Sequence, residues 1–183
     1  MQWLTTLDFT VLHKIQQIFS CRILDIIMPK ITVLGNKGMI WVVTALIMLC
    51  FSRTRKTGLA TGTACIGCLI TGNLILKNIV ARARPCWIEE HLMLIAIPDD
   101  YSFPSGHTMA SFAAATVLWK INRKVGTAAY ILAVLIAFSR LYLYVHFPSD
   151  VLAGAIIGFI IGTFSVKLTD VVSKKINQKR KSA

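Results

Sequence analysis

Acidic side chains are scarce in this chain: eight Asp and Glu stand against twenty Lys and Arg in 183 residues, a formal net charge of +12. Half of the eight, Glu89, Glu90, Asp99 and Asp100, fall in one stretch between apolar runs. A disulfide framework is also lacking. The cysteines are Cys21, Cys50, Cys65, Cys68 and Cys86, an odd count with three inside apolar runs. Cys65-x-x-Cys68 reads as two small packing residues rather than a redox pair. No cluster has metal-ligand spacing, so neither a metal nor another cofactor is expected. The first twenty residues have no basic start and no solid apolar core, which argues against a cleavable signal.

What the chain has in abundance is apolar sequence. Mean hydropathy is +0.65 and 55% of residues are hydrophobic, more than a soluble domain of this length can easily bury. The long runs read as membrane spans. In a soluble protein the positive charge would suggest nucleic acid. Here the basic residues sit between apolar runs, so no nucleic-acid partner is expected, and contact with membrane lipids and their anionic headgroups is. The predicted fold is all-α: a polytopic membrane helix bundle of about five spans, preceded by an amphipathic helix lying in the interface.

Residues 1–30 form the amphipathic region. Phe9, Leu12, Ile15, Phe19, Ile23 and Ile26 recur three or four apart, interrupted by His13, Lys14, Arg22 and Asp25. One or two helices are expected there, ending near Pro29. Residues 31–173 form the core, with spans from Gly38 to Phe51, Gly58 to Leu76, Gly106 to Trp119, Val125 to about Val145 and Val151 to about Leu168. Residues 174–183 form a basic tail. Gly154, Gly158 and Gly162, and likewise Gly58 and Gly62, are spaced for close helix packing. Trp41 and Trp119 are expected as interface anchors. Basic clusters at Arg53–Lys56, Lys120–Lys124 and in the tail fall on one side if five spans are correct. By the positive-inside bias that side is cytoplasmic and the other ends of the helices are extracytoplasmic.

Polar residues that a span should not tolerate gather at those other ends. Lys77, Arg84 and Arg140 are three cations with few anions near them, suited to phosphate oxygens. Ser105-Gly106-His107 opens a helix whose free N–H groups and dipole favour an anion, with Gly106 allowing close approach. His146 and Asp150 are four apart. A carboxylate on one ring nitrogen would fix the tautomer and leave the other nitrogen to attack. His107 is then the general acid. His146 is expected outside the packed core. Arg82 reads as a solvated loop charge or headgroup contact, His13 and His91 as surface residues, and Tyr142 and Tyr144 as packing or interface residues. The loop from Cys86 to Ser102 reads either as a solvated loop or as a lid over the site.

Three motifs carry a resemblance. Residues 77–85 read KNIVARARP, of the form K-x6-R-P. Residues 104–107 read P-S-G-H, and residues 139–150 read SRLYLYVHFPSD, of the form S-R-x5-H-x3-D. In this order they resemble the type 2 phosphatidic acid phosphatase superfamily across roughly residues 60–165. The resemblance implies His146 as nucleophile with Asp150 as partner and His107 as acid. It also implies Lys77, Arg84, Ser105, Gly106 and Arg140 as phosphate ligands, acting on a lipid phosphate without metal. Many bacterial members carry a further N-terminal span where this chain has the amphipathic region. Undecaprenyl diphosphate is the first substrate expected, with phosphatidylglycerol phosphate and phosphatidic acid beside it. Two other readings use the same residues: phosphate transfer to an acceptor alcohol, and a non-catalytic binder or transporter of anionic lipids. The second leaves His107 and the His146–Asp150 pair unexplained.

Overall fold

A computed structural model of the chain describes residues 2–181. Met1, and Ser182 and Ala183 at the end of the expected basic tail, lie outside the described residues. Those described form helices and connecting segments with no strand. Two N-terminal helices, α1 (Gln2–Phe19) and α2 (Arg22–Leu34), are followed by a 3-10 turn, Asn36–Gly38, and α3 (Met39–Cys50). Next, α4 (Arg55–Cys68) continues through a π-wound stretch, Leu69–Leu76, into α5 (Lys77–Val80). The short α6 (Pro85–Ile88) precedes an irregular loop. The chain ends with α7 (Gly106–Ile121), α8 (Arg123–Tyr142) and α9 (Pro148–Lys181).

The runs Arg55–Ile88, Arg123–Tyr142 and Pro148–Lys175 are long and apolar enough to cross a membrane. Arg22–Leu34 and Asn36–Cys50, bent by 41° at their junction, add a fourth crossing if the pair is one broken span. Alone, α3 has 12 residues and α7 has 16, short of the roughly 20 that a bilayer asks of a straight helix. The amphipathic region does not end near Pro29. This proline sits inside α2, which runs on to Leu34; a proline removes one backbone hydrogen bond but does not by itself end a helix.

The centre is α7, with Met109, Ala113, Ala114, Ala115 and Val117 essentially inaccessible. In lipid, apolar burial between helices gains little, so close backbone approach must hold the bundle. Along α9 a Cβ on Gly154 would lie 2.8 Å from the Ser105 carbonyl oxygen, on Gly158 2.4 Å from that of Met109 and on Gly162 2.5 Å from that of Ala113. These three glycines dock α9 on α7, as their spacing predicts. Gly58 meets α3 in the same way, at 2.7 Å from the Ala45 oxygen, whereas Gly62 faces open space. Trp41 is a core residue rather than an interface anchor: it is 3% exposed and its indole N–H donates to Ser111 Oγ at 2.9 Å. Asn122 separates α7 from α8 and its side chain accepts from the amides of Lys124 and Val125, an N-cap that lets α8 start at once. Lys56 pairs with Asp170 at 2.6 Å, so the start of α4 and the last turns of α9 share one end of the bundle.

Candidate active site

At the opposite end from that ion pair, six of the residues singled out in the sequence line one cavity of about 760 Å³: Lys77, Arg84, Gly106, His107, Arg140 and His146. Each comes from a different local device. The π-wound stretch delivers Asn73 and Lys77, both on the cavity wall; such widened turns recur at functional sites. Gly106 and His107 start α7. Arg140 lies in the last turn of α8. Two non-glycine residues are in the left-handed region just before key side chains: Ala81 at φ 46 ahead of Arg82 and Arg84, and Tyr144 at φ 58 ahead of His146. Such conformations cost of order 1–2 kcal/mol each and persist where surrounding packing enforces them.

His146 is 1% exposed, so it belongs to the packed interior rather than lying outside it. Arg84 Nη1 is 3.2 Å from its Nε2. A guanidinium can only donate, so Nε2 is the unprotonated nitrogen and its lone pair accepts from Arg84, itself a cavity-lining residue. Nδ1 therefore carries the proton and donates to Ser102 Oγ at 3.3 Å. The Ser102 hydroxyl in turn donates to Asp150 Oδ2 at 2.5 Å. Asp150 itself is 3.8 Å from Nδ1, so its link to the ring runs through Ser102. Burial first, then the nearby Arg84, Arg140 and Lys77 charges, hold His146 well below the usual histidine range, against a smaller opposing pull from Asp100. The ring is thus neutral and available as a nucleophile.

The cations are arranged for an oxyanion. Arg140 is 3% exposed; its Nη1 donates to Thr32 Oγ1 at 2.6 Å, while its Nε has no hydrogen-bond partner among the described residues. A buried, charged donor left unpaired is costly, and Arg140 is among the residues that line the cavity. Lys77 and Arg84 both pair with Asp100, the latter at 2.5 Å. For Asp100 burial works toward protonation, but the Lys77 hydrogen bond and the Lys77 and Arg84 charges outweigh it and hold the carboxyl at about 2. Across the cavity His107 Nε2 donates to Asn36 Oδ1 at 2.9 Å. That contact depends on Gly35, where a Cβ would lie 2.8 Å from His107 Cδ2. Among the described residues no three His, Cys, Asp or Glu side chains converge as metal ligands would.

This arrangement agrees with what known proteins resemble the chain. The family model described as PAP2 superfamily matches residues 55–173. The chain belongs to the PAP2 superfamily. A protein of Sulfolobus acidocaldarius named undecaprenyl-diphosphatase is 34% identical to this PAP2 chain over 78% of its length and 70% of the relative's. Two solved PAP2-like folds superpose closely. Aquifex aeolicus LpxE has a TM-score of 0.72 at 28% identity, covering 88% of this chain and 95% of that one. The PAP2 type phosphatidylglycerolphosphate phosphatase of Bacillus subtilis has a TM-score of 0.71 at 26% identity, covering 96% and 89%. The all-α multi-pass membrane architecture is therefore that of PAP2 membrane phosphatases.

Several expectations about this PAP2 site need revision. Ser105 does not reach the cavity: it is fully buried, its amide donates to the Asp150 carbonyl oxygen at 3.2 Å and its hydroxyl accepts from Thr108. The docking of α9 at Gly154 has consumed it. Arg82 is not a solvated loop charge. It donates to Asp150 at 2.6 Å, to Asp8 at 2.7 Å and to Ser149 at 2.7 Å, and lies over the Phe147 ring. The Cys86–Ser102 loop is attached rather than merely solvated, through Asp100, through Ser102 and through Glu89, which accepts from Tyr144 at 2.7 Å and contacts His13 at 2.9 Å. His91 stacks on Tyr144. Asn36, Ser102, Asp8 and Asp100 escape sequence reasoning because each lies far in the chain from what it touches. A polar residue flanked by breakers, as in Gly35-Asn36-Lys37-Gly38, is the one local signal available.

Proposed function

We propose that this membrane lipid phosphatase hydrolyses a polyprenyl diphosphate of the undecaprenyl type through a phosphohistidine on His146, with its site on the extracytoplasmic side. His146 Nε2 attacks the terminal phosphorus, and the bond from phosphorus to the bridging oxygen breaks. His107, protonated when the anionic substrate is bound, gives its proton to that oxygen. Water then attacks the phosphorus, His107 takes a proton from it, the P–N bond breaks and inorganic phosphate leaves. Lys77, Arg84 and Arg140 hold the equatorial oxygens, where charge builds in the transition state. Gly106 leaves room for the phosphate at the start of α7.

The observation that carries this reading is one cavity lined by Lys77, Arg84 and Arg140 together with His146, whose unprotonated Nε2 is on the Arg84 side of the ring. The name of the Sulfolobus relative supports the diphosphate. Sidedness is supported by Lys56, near the basic Arg53–Lys56 turn, pairing with Asp170 at the end away from the cavity; positive clusters favour the cytoplasm. Five crossings, with the short α7 threaded inside the bundle, fit the same orientation.

The test is phosphate release in detergent from a panel of undecaprenyl diphosphate, phosphatidylglycerol phosphate and phosphatidic acid, without added metal. The diphosphate should give the highest kcat/KM, and vanadate should inhibit. Equal or better turnover of a glycerolipid would overturn the substrate assignment. Turnover by His146→Ala would overturn the nucleophile.

A further inference from the structure

Asp8 lies outside the three motifs and Arg82 fills an unspecified position of the first, yet both are built into the back of the site. Asp8 is 4% exposed on a helix whose Trp3, Leu7 and Ile18 lie largely open on its surface. An interfacial anchor has no use for a buried carboxylate, which is stable only when fully partnered. Asp8 is so partnered. Its Oδ1 accepts from the Ser149 amide at 3.0 Å, and its Oδ2 accepts from Ser149 Oγ at 2.6 Å and Arg82 Nη2 at 2.7 Å. Arg82 Nη1 carries the chain on to Asp150 Oδ1 at 2.6 Å, and Asp150 Oδ2 reaches His146 through Ser102.

We infer that Asp8 and Arg82 are positioning residues for catalysis, the N-terminal helix α1 setting the orientation and net charge of the group that stands behind His146. This rests on the reading of His146 as nucleophile. The reason is electrostatic. When Nε2 bonds to phosphorus the ring becomes cationic and needs a negative group behind it. Asp150 paired with Arg82 alone would be neutral as a unit and offer little field. Adding Asp8 leaves one net negative charge on the Asp8–Arg82–Asp150 unit. Arg84, Arg140 and Lys77, three cations that line the cavity, act on the ring against the single carboxylate of Asp100. The negative unit at the back is what offsets them.

Opposite charge changes should therefore have opposite effects. Asp8→Asn keeps the shape but makes the unit neutral. This disfavours the protonated ring, so the acid limb of kcat/KM should move to lower pH by about half a unit or more. In the same variant kcat should fall about tenfold or more with KM within about twofold. Arg82→Gln makes the unit more negative, and the limb should move to higher pH. Asp8→Glu restores the charge and should recover most of kcat. All proteins are assayed as the full chain on one substrate, so the substrate's own ionisation cancels. Rate losses with no movement of the limb, or Asp8→Glu as impaired as Asp8→Asn, would overturn the inference by reducing Asp8 to a structural tether. If only one charge variant folds, the direction of its shift decides. His146→Ala run alongside separates the two levels: activity there removes the nucleophile reading itself, whereas an inactive His146→Ala beside an unaltered Asp8→Asn removes this inference alone.

Discussion

The two histidines of the site sit in opposite surroundings. His146 is enclosed and 1% exposed, with Arg84 on one ring nitrogen and Ser102 on the other, and Asp150, Arg82 and Asp8 in line behind it. The His107 ring has one hydrogen-bonding partner among the described residues, Asn36, which lies at an exposed helix junction. The difference fits the two tasks proposed for them. A nucleophile must hold one tautomer and one direction against a cation that forms on it, which demands an ordered, charged backing. A general acid must reach a leaving oxygen that moves as its bond breaks and then turn to a water, so a single lateral support suits it.

Breaking the enclosed side should do most damage. His146→Ala is expected to lower kcat by about 10⁴-fold or more and to leave no phosphoenzyme in a rapid acid quench. The ring is interior, so this variant should also melt at a lower temperature in detergent. His107→Asn is expected to cost about 10²- to 10⁴-fold, and the loss should depend on the substrate. A diphosphate, whose leaving group is itself a phosphate, should lose less than a phosphomonoester of a lipid alcohol. Equal losses on both would break the contrast, because His107 would then be doing something other than protonating the leaving oxygen. Asn36→Ala leaves His107 chemically intact but unsupported. About a tenfold fall in kcat with little change in KM is expected, measured against the same diphosphate.

The smallest effect concerns Asp100, whose carboxylate sits on Lys77 and Arg84 where the substrate's oxygens would bind. Asp100→Asn should tighten inhibition by inorganic phosphate or vanadate about three- to tenfold, read as a lower inhibition constant. The pH dependence has a definite sign. Since the folded-state carboxyl is held at about 2, below its ordinary 3.8, its ion pairs contribute fully above about pH 4 and are lost as pH falls toward 2. A thermal melt followed through that window should lose a step in Asp100→Asn that the unaltered protein retains.

Legibility divided along the same line. The cavity face was readable: Lys77, Arg84, Gly106, His107, Arg140 and His146 carry chemistry at fixed spacings, and all six line one cavity. The backing was not. Nothing along the chain marks Asp8 or Ser102, Arg82 reads as a solvated loop charge or headgroup contact, and only the folded chain brings residues 8, 82, 102 and 150 together. Ser105 was misplaced for the converse reason. A helix start looks free in sequence, but α9 closes over this one. Trp41 and Pro29 failed because a helix's surroundings, not its composition, decide what it tolerates.

By itself the sequence determined the helical character, the apolar runs, the small-residue seam of α9 and the candidate reactive groups, because periodicity, hydropathy and functional-group chemistry are local properties of a chain. Only the tertiary structure decided which nitrogen of His146 meets Arg84, that Ser102 stands between the ring and Asp150, and that α1 lends its one aspartate to the group behind His146. Those facts depend on distances of a few ångströms between residues up to 141 positions apart. Hydrogen-bond and Coulomb energies fall off within that range, so no pattern along the chain encodes them directly.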